Sequence, residues 1–326
     1  MKTFIKYPGG KAKELKIIND NKPSVIKRYF EPFVGGGSVF FDLEIPNSYI
    51  NDISQDLITL YEYIQNHDKL FLEKLQQLNN TWKSLSIENY QTIDFSFISK
   101  NSNIHSIFLN YKAIEEKRKE KRIKKMEEKK DIQFDAKTVP VTCLKAAFYY
   151  TIRYIYNTER NDKMVSALTY YFLREFCYSS MFRFSSLGDF NVPYGGSSYN
   201  VKNFDTKIAV INNYDIGKAK IYNEDFGKFL KRFKFNSEDF IFVDPPYDSE
   251  FCDYDGKDFD KNEQIRLAQQ LSKLSAKVMI IIKNTDFIYN LYEELGFNIK
   301  QFDKKYSVNF YNRNSRETVH LIITNY

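Results

Sequence analysis

Apolar and polar positions follow two different patterns along the chain. In the first 65 residues, short apolar stretches suited to strands alternate with stretches such as SQDLITLYEYIQ, whose apolar residues recur at helical spacing. The same alternation returns from residue 205, where the apolar run KVMIIIK is typical of a strand buried on both faces of a sheet. Residues 1–65 and 205–326 are therefore predicted to form one α/β domain.

Helical periodicity dominates between these two segments. Residues 66–204 contain several amphipathic stretches and one exception, FRFSSLGDFNVPY. There, two aromatic-rich arms flank a Ser-Ser-Leu-Gly turn, a pattern that predicts a β-hairpin. We therefore expect a mostly helical inserted domain at 66–204 that carries this hairpin.

Composition limits the classes of protein to consider. Of the 326 residues, 43% are hydrophobic, which is enough for a full-sized core. No apolar run reaches the roughly 20 residues of a membrane span, and the first residues lack the continuous apolar segment of a signal peptide. The scattered cysteines favour a reducing cytoplasm. No spacing of cysteine and histidine resembles a zinc site, so no metal is expected.

The positive charge is concentrated in one segment. The formal net charge is +6, and between Tyr111 and Lys130 there are 10 lysines and arginines against 5 acidic residues, a surplus of 5. A local patch of this kind is typical of a surface that binds nucleic-acid phosphates. A solvent-exposed helix with ion pairs four residues apart is the alternative.

A glycine-rich loop follows the first predicted strand, in FEPFVGGGS at 30–38. Phe40 occupies the position of the last glycine of a dinucleotide fingerprint, and no Gly-Lys-Ser/Thr ending is present, so we expect a ligand without phosphates. Glu31 before the loop favours an amine-bearing or cationic ligand, and Asp52 at the end of the next strand could accept hydrogen bonds from ribose hydroxyls. These features fit S-adenosylmethionine, although the glycines alone could form a tight turn.

A second loop, Asp244-Pro245-Pro246-Tyr247, follows the predicted strand DFIFV. Ligands of parallel α/β sheets bind beyond the carboxyl ends of the strands. Prolines restrict the backbone, so the carboxylate and a backbone carbonyl can form a rigid clamp for an amino group, and the tyrosine ring can stack on a base. The amine of adenine is a poor nucleophile, and such a clamp could direct its lone pair at a methyl donor. An ordinary Pro-Pro loop at a sheet edge is the alternative.

These motifs resemble those of the Dam-type DNA adenine N6-methyltransferases, the α-class or D12 enzymes. The resemblance also includes KYPGGK at 6–11, YINDISQDLI at 49–58 and HLIITNY at 320–326. It implies a Rossmann-like methyltransferase fold with an inserted DNA-recognition domain. It also implies direct transfer of a methyl group from S-adenosylmethionine to an adenine flipped out of double-stranded DNA.

The resemblance assigns roles to individual residues. Catalysis is expected from Asp244, Pro245, Pro246 and Tyr247. The cofactor pocket is expected to comprise Tyr7, Gly9, Lys11, Glu31, Phe33, Gly35, Asp52, Asp225 and Asp244. DNA contacts are expected from Lys6, Tyr178, Arg183 and Pro193, with GATC as the favoured site. The chain departs from the family at Ser179-Ser180, where Asn-Gly is common, and another short site that contains an adenine is the alternative to GATC. For the hairpin itself, packing on the helices without DNA contact is the alternative.

Other functions stay open at this point. The amine could belong to N4 of cytosine or to an RNA base, although N4 enzymes more often have serine than aspartate at the position of Asp244. A catalytically dead DNA-recognition protein that binds the cofactor is a third alternative. We expect a monomer or weak dimer that binds double-stranded DNA and no membrane. Whether a cognate restriction endonuclease exists is not determined by the sequence.

Overall fold

A computed structural model describes residues 3–127, 138–212, 216–246, 259–305 and 317–326. The chain divides into two compact units. The first, here called the sheet unit, comprises Met1–Thr3, Gly9–Ile58 and Ile216–Tyr326. The second, here called the helical unit, comprises Phe4–Pro8 and Thr59–Asp215. The division of labour expected for 1–65 with 205–326 and for 66–204, catalysis in one and DNA recognition in the other, stays a prediction.

One seven-stranded sheet organises the described part of the sheet unit. Its strands in chain order are β1 (Arg28–Glu31), β2 (Ser48–Asn51), β3 (Lys220–Tyr222), β4 (Asp239–Val243), β5 (Lys277–Lys283), β6 (Asn298–Lys305) and β7 (Glu317–Thr324). In space the order is β3–β2–β1–β4–β5–β7–β6, and β7 runs antiparallel to both of its neighbours. The other pairs are parallel. The predicted Rossmann-like methyltransferase fold is confirmed.

The centre of this sheet is apolar on both faces. Every residue of β4 and the residues from Val278 to Ile282 of β5 are buried, as expected for strands that helices cover on both sides. The pairing of β1 with β4 begins at Arg28 and Asp239. The Arg28 guanidinium donates two hydrogen bonds, of 2.7 and 2.6 Å, to the buried carboxylate of Asp239. This ion pair therefore fixes the register of the two strands at their amino ends.

Eleven α-helices lie in the described ranges. In chain order they are α1 (Leu15–Asn21), α2 (Ser38–Leu43), α3 (Gln55–Gln65), α4 (Lys69–Ser84), α5 (Ile104–Glu127), α6 (Thr138–Glu159), α7 (Lys163–Phe176), α8 (Asp205–Asn212), α9 (Phe226–Lys231), α10 (Lys261–Leu271) and α11 (Asp286–Glu294). None of these described helices is long and apolar enough to cross a membrane.

Helix α7 forms the centre of the helical unit. Nearly all of its residues from Val165 to Phe176 are buried, and a helix that is buried all round belongs in the middle of a core. Phe172 and Phe176 pack against Trp82 of α4, with ring centroids 5.3 and 4.4 Å away. The first residues after α7 lead directly into the predicted recognition hairpin, so the core of this unit supports that hairpin.

Candidate active site and recognition elements

The glycine loop after β1 is held in place by Asp52. The backbone N–H of Gly35 donates a 3.0 Å hydrogen bond to one carboxylate oxygen, and the N–H of Ser54 donates to the other at 3.0 Å. Gly35 and Gly37 have φ values of 48° and 69°, which only glycine adopts without strain. The loop and the acid that ends β2 therefore form one structure at the carboxyl edge of the sheet.

Asn51 joins this loop to the segment after β3. Its side-chain N–H groups donate to the carbonyls of Pro32 and Glu224, both at 3.0 Å, and its side-chain oxygen accepts from the N–H of Glu224 at 2.9 Å. Asn51 is only 1% exposed. The sequence analysis missed this residue, although an amide at the end of an otherwise apolar strand was a usable signal.

Glu31 is a buried carboxyl group between β1 and the glycine loop. It is 2% exposed, and the Tyr29 hydroxyl donates a 2.7 Å hydrogen bond to it. Burial raises the pKa of Glu31 well above its ordinary value of 4.5, because the charged form loses its hydration; the nearby charge of Asp244 acts in the same direction. The Tyr29 hydrogen bond and the Lys11 ammonium oppose this shift in the pKa.

Lys11 and Asp244 form an ion pair at the carboxyl end of β4. The ammonium nitrogen lies 2.5 Å from a carboxylate oxygen, and Lys11 is 2% exposed. The same ammonium donates to the carbonyl of Gly9 at 2.9 Å. The GGK motif near the start of the chain therefore lies against the Asp-Pro-Pro motif.

The two prolines after Asp244 have different surroundings. Pro245 is buried, and the carbonyl of Pro246 accepts a 2.9 Å hydrogen bond from the side-chain amide of Gln264. Gln264 lies on α10 and is fully buried. Its amide fastens the loop to the helix, a contact that the sequence analysis did not foresee. Tyr247 lies outside the described residues.

Asp225 is engaged at the start of α9. One carboxylate oxygen accepts from the N–H groups of Gly227 and Lys228 at 3.0 and 3.2 Å. The Arg266 guanidinium donates to both oxygens, at 2.9 and 2.6 Å. The hydrogen bond to Arg266 is the largest cause of the lowered pKa of Asp225. This carboxylate is therefore an ionised, fixed group, and its partner Arg266 was missed by the sequence analysis.

Three phenylalanines form an aromatic wall beside the glycine loop. The rings of Phe33, Phe226 and Phe259 have centroids 5.4 to 5.7 Å apart. The Arg266 guanidinium stacks on Phe226 at 3.9 Å from the ring centroid. Aromatic rings next to acidic groups suit a purine nucleoside.

In the helical unit, the segment Phe4–Pro8 packs on α7. The Tyr171 hydroxyl donates to the Phe4 carbonyl at 3.1 Å, and the carboxylate of Glu175 accepts from the Lys6 N–H at 3.0 Å. Helix α7 therefore sets the position of Lys6, which is a predicted base-reading residue.

The predicted hairpin is present in a minimal form. Phe184 and Phe190 form an antiparallel bridge, and the Ser185 N–H donates to the Asp189 carbonyl at 2.7 Å across the turn. Phe182 and Phe190 are buried, whereas Arg183 is exposed and donates to the Asn191 side chain at 3.2 Å. One face of the hairpin thus packs on the helices and the other is accessible.

Tyr178 lies next to Pro193, at the end of the hairpin opposite its turn. Its side chain is 48% exposed, and its N–H donates to the Pro193 carbonyl at 2.9 Å. Ser179 and Ser180 have φ values of 52° and 58°, a left-handed conformation that asparagine and glycine adopt more easily than serine. The Ser-Ser departure from the family pattern therefore occurs in a conformation that suits Asn-Gly.

Helix α6 holds the second arm of the hairpin with four side chains spaced about one turn apart, the first of which is Tyr149, whose hydroxyl donates to the Val192 carbonyl at 2.9 Å. Arg153 donates to the Asn191 carbonyl at 3.3 Å. Asn157 both donates to and accepts from the backbone of Phe190, at 3.1 and 2.9 Å. Arg160 donates to the Gly188 carbonyl at 3.2 Å. These contacts fix the backbone that faces Arg183.

The basic run lies largely on α5. Two ion pairs, Lys112 with Glu116 and Arg118 with Glu115, occur in its described part. The exposed cations of this part are Lys117, Arg118, Lys121, Arg122, Lys124 and Lys125. Both interpretations of the run, phosphate binding and a solvated helix, remain compatible with this arrangement. Residues 128–130 of the run lie outside the described residues.

Comparison with known proteins assigns the family. The model of the D12 class N6 adenine-specific DNA methyltransferases matches residues 7–308. The chain belongs to this family.

Named relatives of this D12 methyltransferase are similar over their whole length. The type II methyltransferase M.MjaIII of Methanocaldococcus jannaschii is 31% identical, over 100% of this chain and 99% of its own. The type II methyltransferase M.CviBI of Paramecium bursaria Chlorella virus NC1A is 29% identical, over 100% of both chains. The DNA adenine methylase of Vibrio cholerae serotype O1 is 22% identical, over 99% of this chain and 96% of its own.

In this D12 methyltransferase the predicted site residues fall into two groups. The described residues that lie in the sheet unit are Gly9, Lys11, Glu31, Phe33, Gly35, Asp52, Asp225, Asp244, Pro245 and Pro246. Those in the helical unit are Lys6, Tyr7, Tyr178, Arg183 and Pro193. Tyr7 was expected in the cofactor pocket but packs in the helical unit, against Arg174. Its contact with a cofactor stays a prediction.

Proposed function

We propose that this D12 methyltransferase transfers a methyl group from S-adenosylmethionine to N6 of an adenine in double-stranded DNA, with GATC as the favoured site. The observation that carries this proposal is the ion pair of Lys11 with Asp244, placed at the carboxyl end of β4 beside the glycine loop of β1. The strand order reverses between β1 and β4, and open α/β sheets bind their ligands at such a point.

The lining of this edge suits S-adenosylmethionine. The half-buried rings of Phe33 and Phe259 could stack on its adenine, and the carboxylate of Asp52 could accept a hydrogen bond from a ribose hydroxyl. Glu31, which is buried next to the glycine loop, would be the acidic group that faces the cationic part of the cofactor. When bound, S-adenosylmethionine supplies an electrophilic methyl group on a sulfonium.

The chain itself would hold the target amine. An ionised Asp244 is purely a hydrogen-bond acceptor, and the buried ammonium of Lys11 favours this ionised form. The Asp244 carboxylate and the Pro245 carbonyl together would orient the adenine amine. The hydrogen bond from Gln264 to the Pro246 carbonyl restrains the loop that carries them. A rigid clamp of this kind lowers the barrier because the orientation is set before the reaction.

The described cysteines do not suit a covalent mechanism. Cys143 and Cys177 are both buried, and burial raises the pKa of the Cys177 thiol to about 12. A thiolate, and not a thiol, is the nucleophile in covalent catalysis. The third cysteine, Cys252, lies outside the described residues. Direct transfer from donor to amine is the mechanism that we propose.

Lys6 and Arg183 are the side chains that we propose to read the site, and we propose that the exposed ring of Tyr178 enters the base stack. An arginine on a guanine edge contributes about 1–3 kcal/mol of discrimination. The relatives that are named type II methyltransferases support a restriction-modification role, and the DNA adenine methylase supports the choice of adenine.

The test is methylation of a duplex panel in which each base of GATC and of its flanks is changed in turn, with labelled S-adenosylmethionine. We expect N6-methyladenine in the digested product and loss of label for changes within the site. Arg183→Ala should relax the preference at one base pair only. N4-methylcytosine, preferential labelling of RNA or the absence of any label would favour one of the alternative functions instead.

A further inference from the structure

Arg174 is a buried cation enclosed by aromatic rings in the helical unit. Its side chain is 0% exposed. The guanidinium carbon lies 4.5 Å from the ring centroid of Tyr7, 4.1 Å from that of Phe182 and 5.0 Å from that of Tyr170. Its Nε donates a 3.0 Å hydrogen bond to the Tyr170 hydroxyl.

Two of these rings belong to segments that carry predicted base-reading residues. Tyr7 follows Lys6 directly, and Phe182 precedes Arg183 directly. The next residue of α7, Glu175, accepts the backbone N–H of Lys6 at 3.0 Å. A single turn of α7 therefore contacts both the segment Phe4–Pro8 and the hairpin.

A need for stability alone does not explain an arginine at this position. Removing a guanidinium from water is costly, and replacing buried charges by apolar side chains of similar volume is often neutral or stabilising. What a guanidinium offers over an apolar side chain is a planar cation that can attract a ring on each face while its Nε–H donates a hydrogen bond, here to Tyr170. Such contacts constrain geometry more than generic apolar packing does.

We propose that Arg174 is a positioning residue that fixes the separation of Lys6 and Arg183, so that two base pairs of the site are read in one register. The proposal rests on the proposed function, since it takes these two side chains as base readers. Neighbouring base pairs are about 3.4 Å apart along the duplex. A shift of a few ångströms between the two segments therefore moves one reader to the wrong base pair.

The experiment compares Arg174→Met with the wild-type protein on the duplex panel, with discrimination, random-DNA affinity and unfolding as readouts. We expect discrimination to fall about 10-fold or more at two base pairs, those read by Lys6 and by Arg183. Affinity for random DNA at fixed salt should stay within about 2-fold, because phosphate contacts dominate it. The urea midpoint of unfolding should be unchanged or higher. A residue that only stabilises the core could not lower discrimination while leaving stability intact.

Arg174→Lys provides a second variant if the methionine form does not fold. Lysine keeps the charge but lacks the planar faces that Tyr7 and Phe182 contact, so the same two discriminations should fall. Lys145→Met is the matched control, because Lys145 is also a buried cation, 3% exposed, but stacks on Trp82 at 4.3 Å. It should keep both discriminations.

Asn157→Ala distinguishes the contribution of the hairpin to discrimination from that of the segment Phe4–Pro8. It loosens only the hairpin, through Phe190, and should lower discrimination at the base pair of Arg183 alone. Full discrimination at either end in both Arg174 variants, or an equal loss of activity on every duplex, overturns the role of Arg174. A wild-type protein that shows no base preference refutes the proposed function instead.

Discussion

The ammonium of Lys11 and the carboxylate of Asp244 lie 2.5 Å apart, and the lysine is almost completely buried. This contact connects a motif near the start of the chain with the loop that ends β4. Breaking a buried pair by removing one partner costs about 3–5 kcal/mol. The pair therefore ties the predicted catalytic acid to the stability of the sheet unit.

Replacement of Asp244 should lower the rate of methyl transfer far more than it lowers the affinity for the cofactor. Asp244→Ala removes both acceptor oxygens at the reacting centre, so we expect the rate of methyl transfer to fall by about 10²–10³. Asp244→Asn keeps one acceptor oxygen, so its rate should fall less. Titration calorimetry and a methylation assay on the same preparations measure the two effects separately. Asp20→Asn, which breaks the exposed pair with Lys16, is the control and should be silent. Near wild-type activity in Asp244→Ala would refute the assignment of Asp244.

Gln264 should affect the reaction from outside the pocket. Gln264→Met keeps the volume but removes the hydrogen bond to the Pro246 carbonyl. We expect a stability loss of about 1 kcal/mol and a lower kcat with unchanged cofactor affinity, because the clamp becomes less rigid. Gln269→Met, on the exposed face of the same helix, is the matched control. An unchanged kcat for Gln264→Met would show that the loop is rigid without this contact.

Glu31 should make stability depend on pH. Burial raises its pKa above 4.5 in the folded protein, so the folded state holds a proton that the unfolded chain releases. The free energy of unfolding should therefore fall as pH rises from about 4.5 through the raised pKa, with a slope of at most about 1.4 kcal/mol per pH unit. Urea unfolding at successive pH values measures this fall.

Glu31→Gln should lack this fall, since glutamine does not titrate. The unfolding free energy of Glu31→Gln minus that of the wild-type protein should therefore increase as pH rises. For the exposed Glu294→Gln this difference should not change with pH. Parallel curves for both variants would mean that Glu31 titrates normally.

Ser180→Gly should stabilise the protein. Ser180 has a φ of 58°, and its buried hydroxyl has no hydrogen-bond partner among the described residues. Glycine removes the left-handed strain, so we expect a gain of about 1 kcal/mol in unfolding free energy. Ser106→Gly, at an exposed position within α5, should instead cost about 0.5 kcal/mol. A loss of stability in both variants would contradict the strain argument.

The basic run should contribute sequence-independent affinity. A fourfold glutamine variant replaces Lys117, Arg118, Lys121 and Arg122. We expect weaker binding to cognate and random DNA alike, with the slope of log K against log[salt] flatter by roughly 0.9 for each phosphate that the variant no longer neutralises. The control variant replaces four exposed lysines of the sheet unit, Lys228, Lys231, Lys234 and Lys273. Equal slopes for the variant and the wild type would favour a solvated helix.

The loops of the site were predictable because clustered glycines and paired prolines are rare inside strands and helices and therefore mark loops. Glycines at 35–37 and the pair Pro245-Pro246 follow apolar runs, so both the strands and their ends could be recognised from local pattern. The hairpin was recognisable for the same reason, but its described backbone pairing of strand type is limited to the bridge of Phe184 with Phe190 and the bridge of Tyr194 with Cys177. Its arms are held mainly by side chains of α6, which the local pattern does not encode.

The partners of the site residues could not be predicted in this way. Gln264 and Arg266 lie on a helix whose sequence only indicates which face is apolar, and their contacts with Pro246 and Asp225 depend on how that helix packs. The placement of Tyr7 was difficult for a similar reason. Five residues at the start of the chain carry too little pattern to show which unit they join.

The pairing of Arg28 with Asp239 has a consequence for where the reaction can be perturbed. A slip of one residue between β1 and β4 would turn every side chain of a strand to the opposite face and displace Asp244 by about 3.3 Å along the sheet. The two hydrogen bonds of Arg28 oppose this slip at the amino ends of the strands, opposite the edge where we expect the cofactor to bind. Substitutions there can act at a distance, altering turnover without touching any bound molecule.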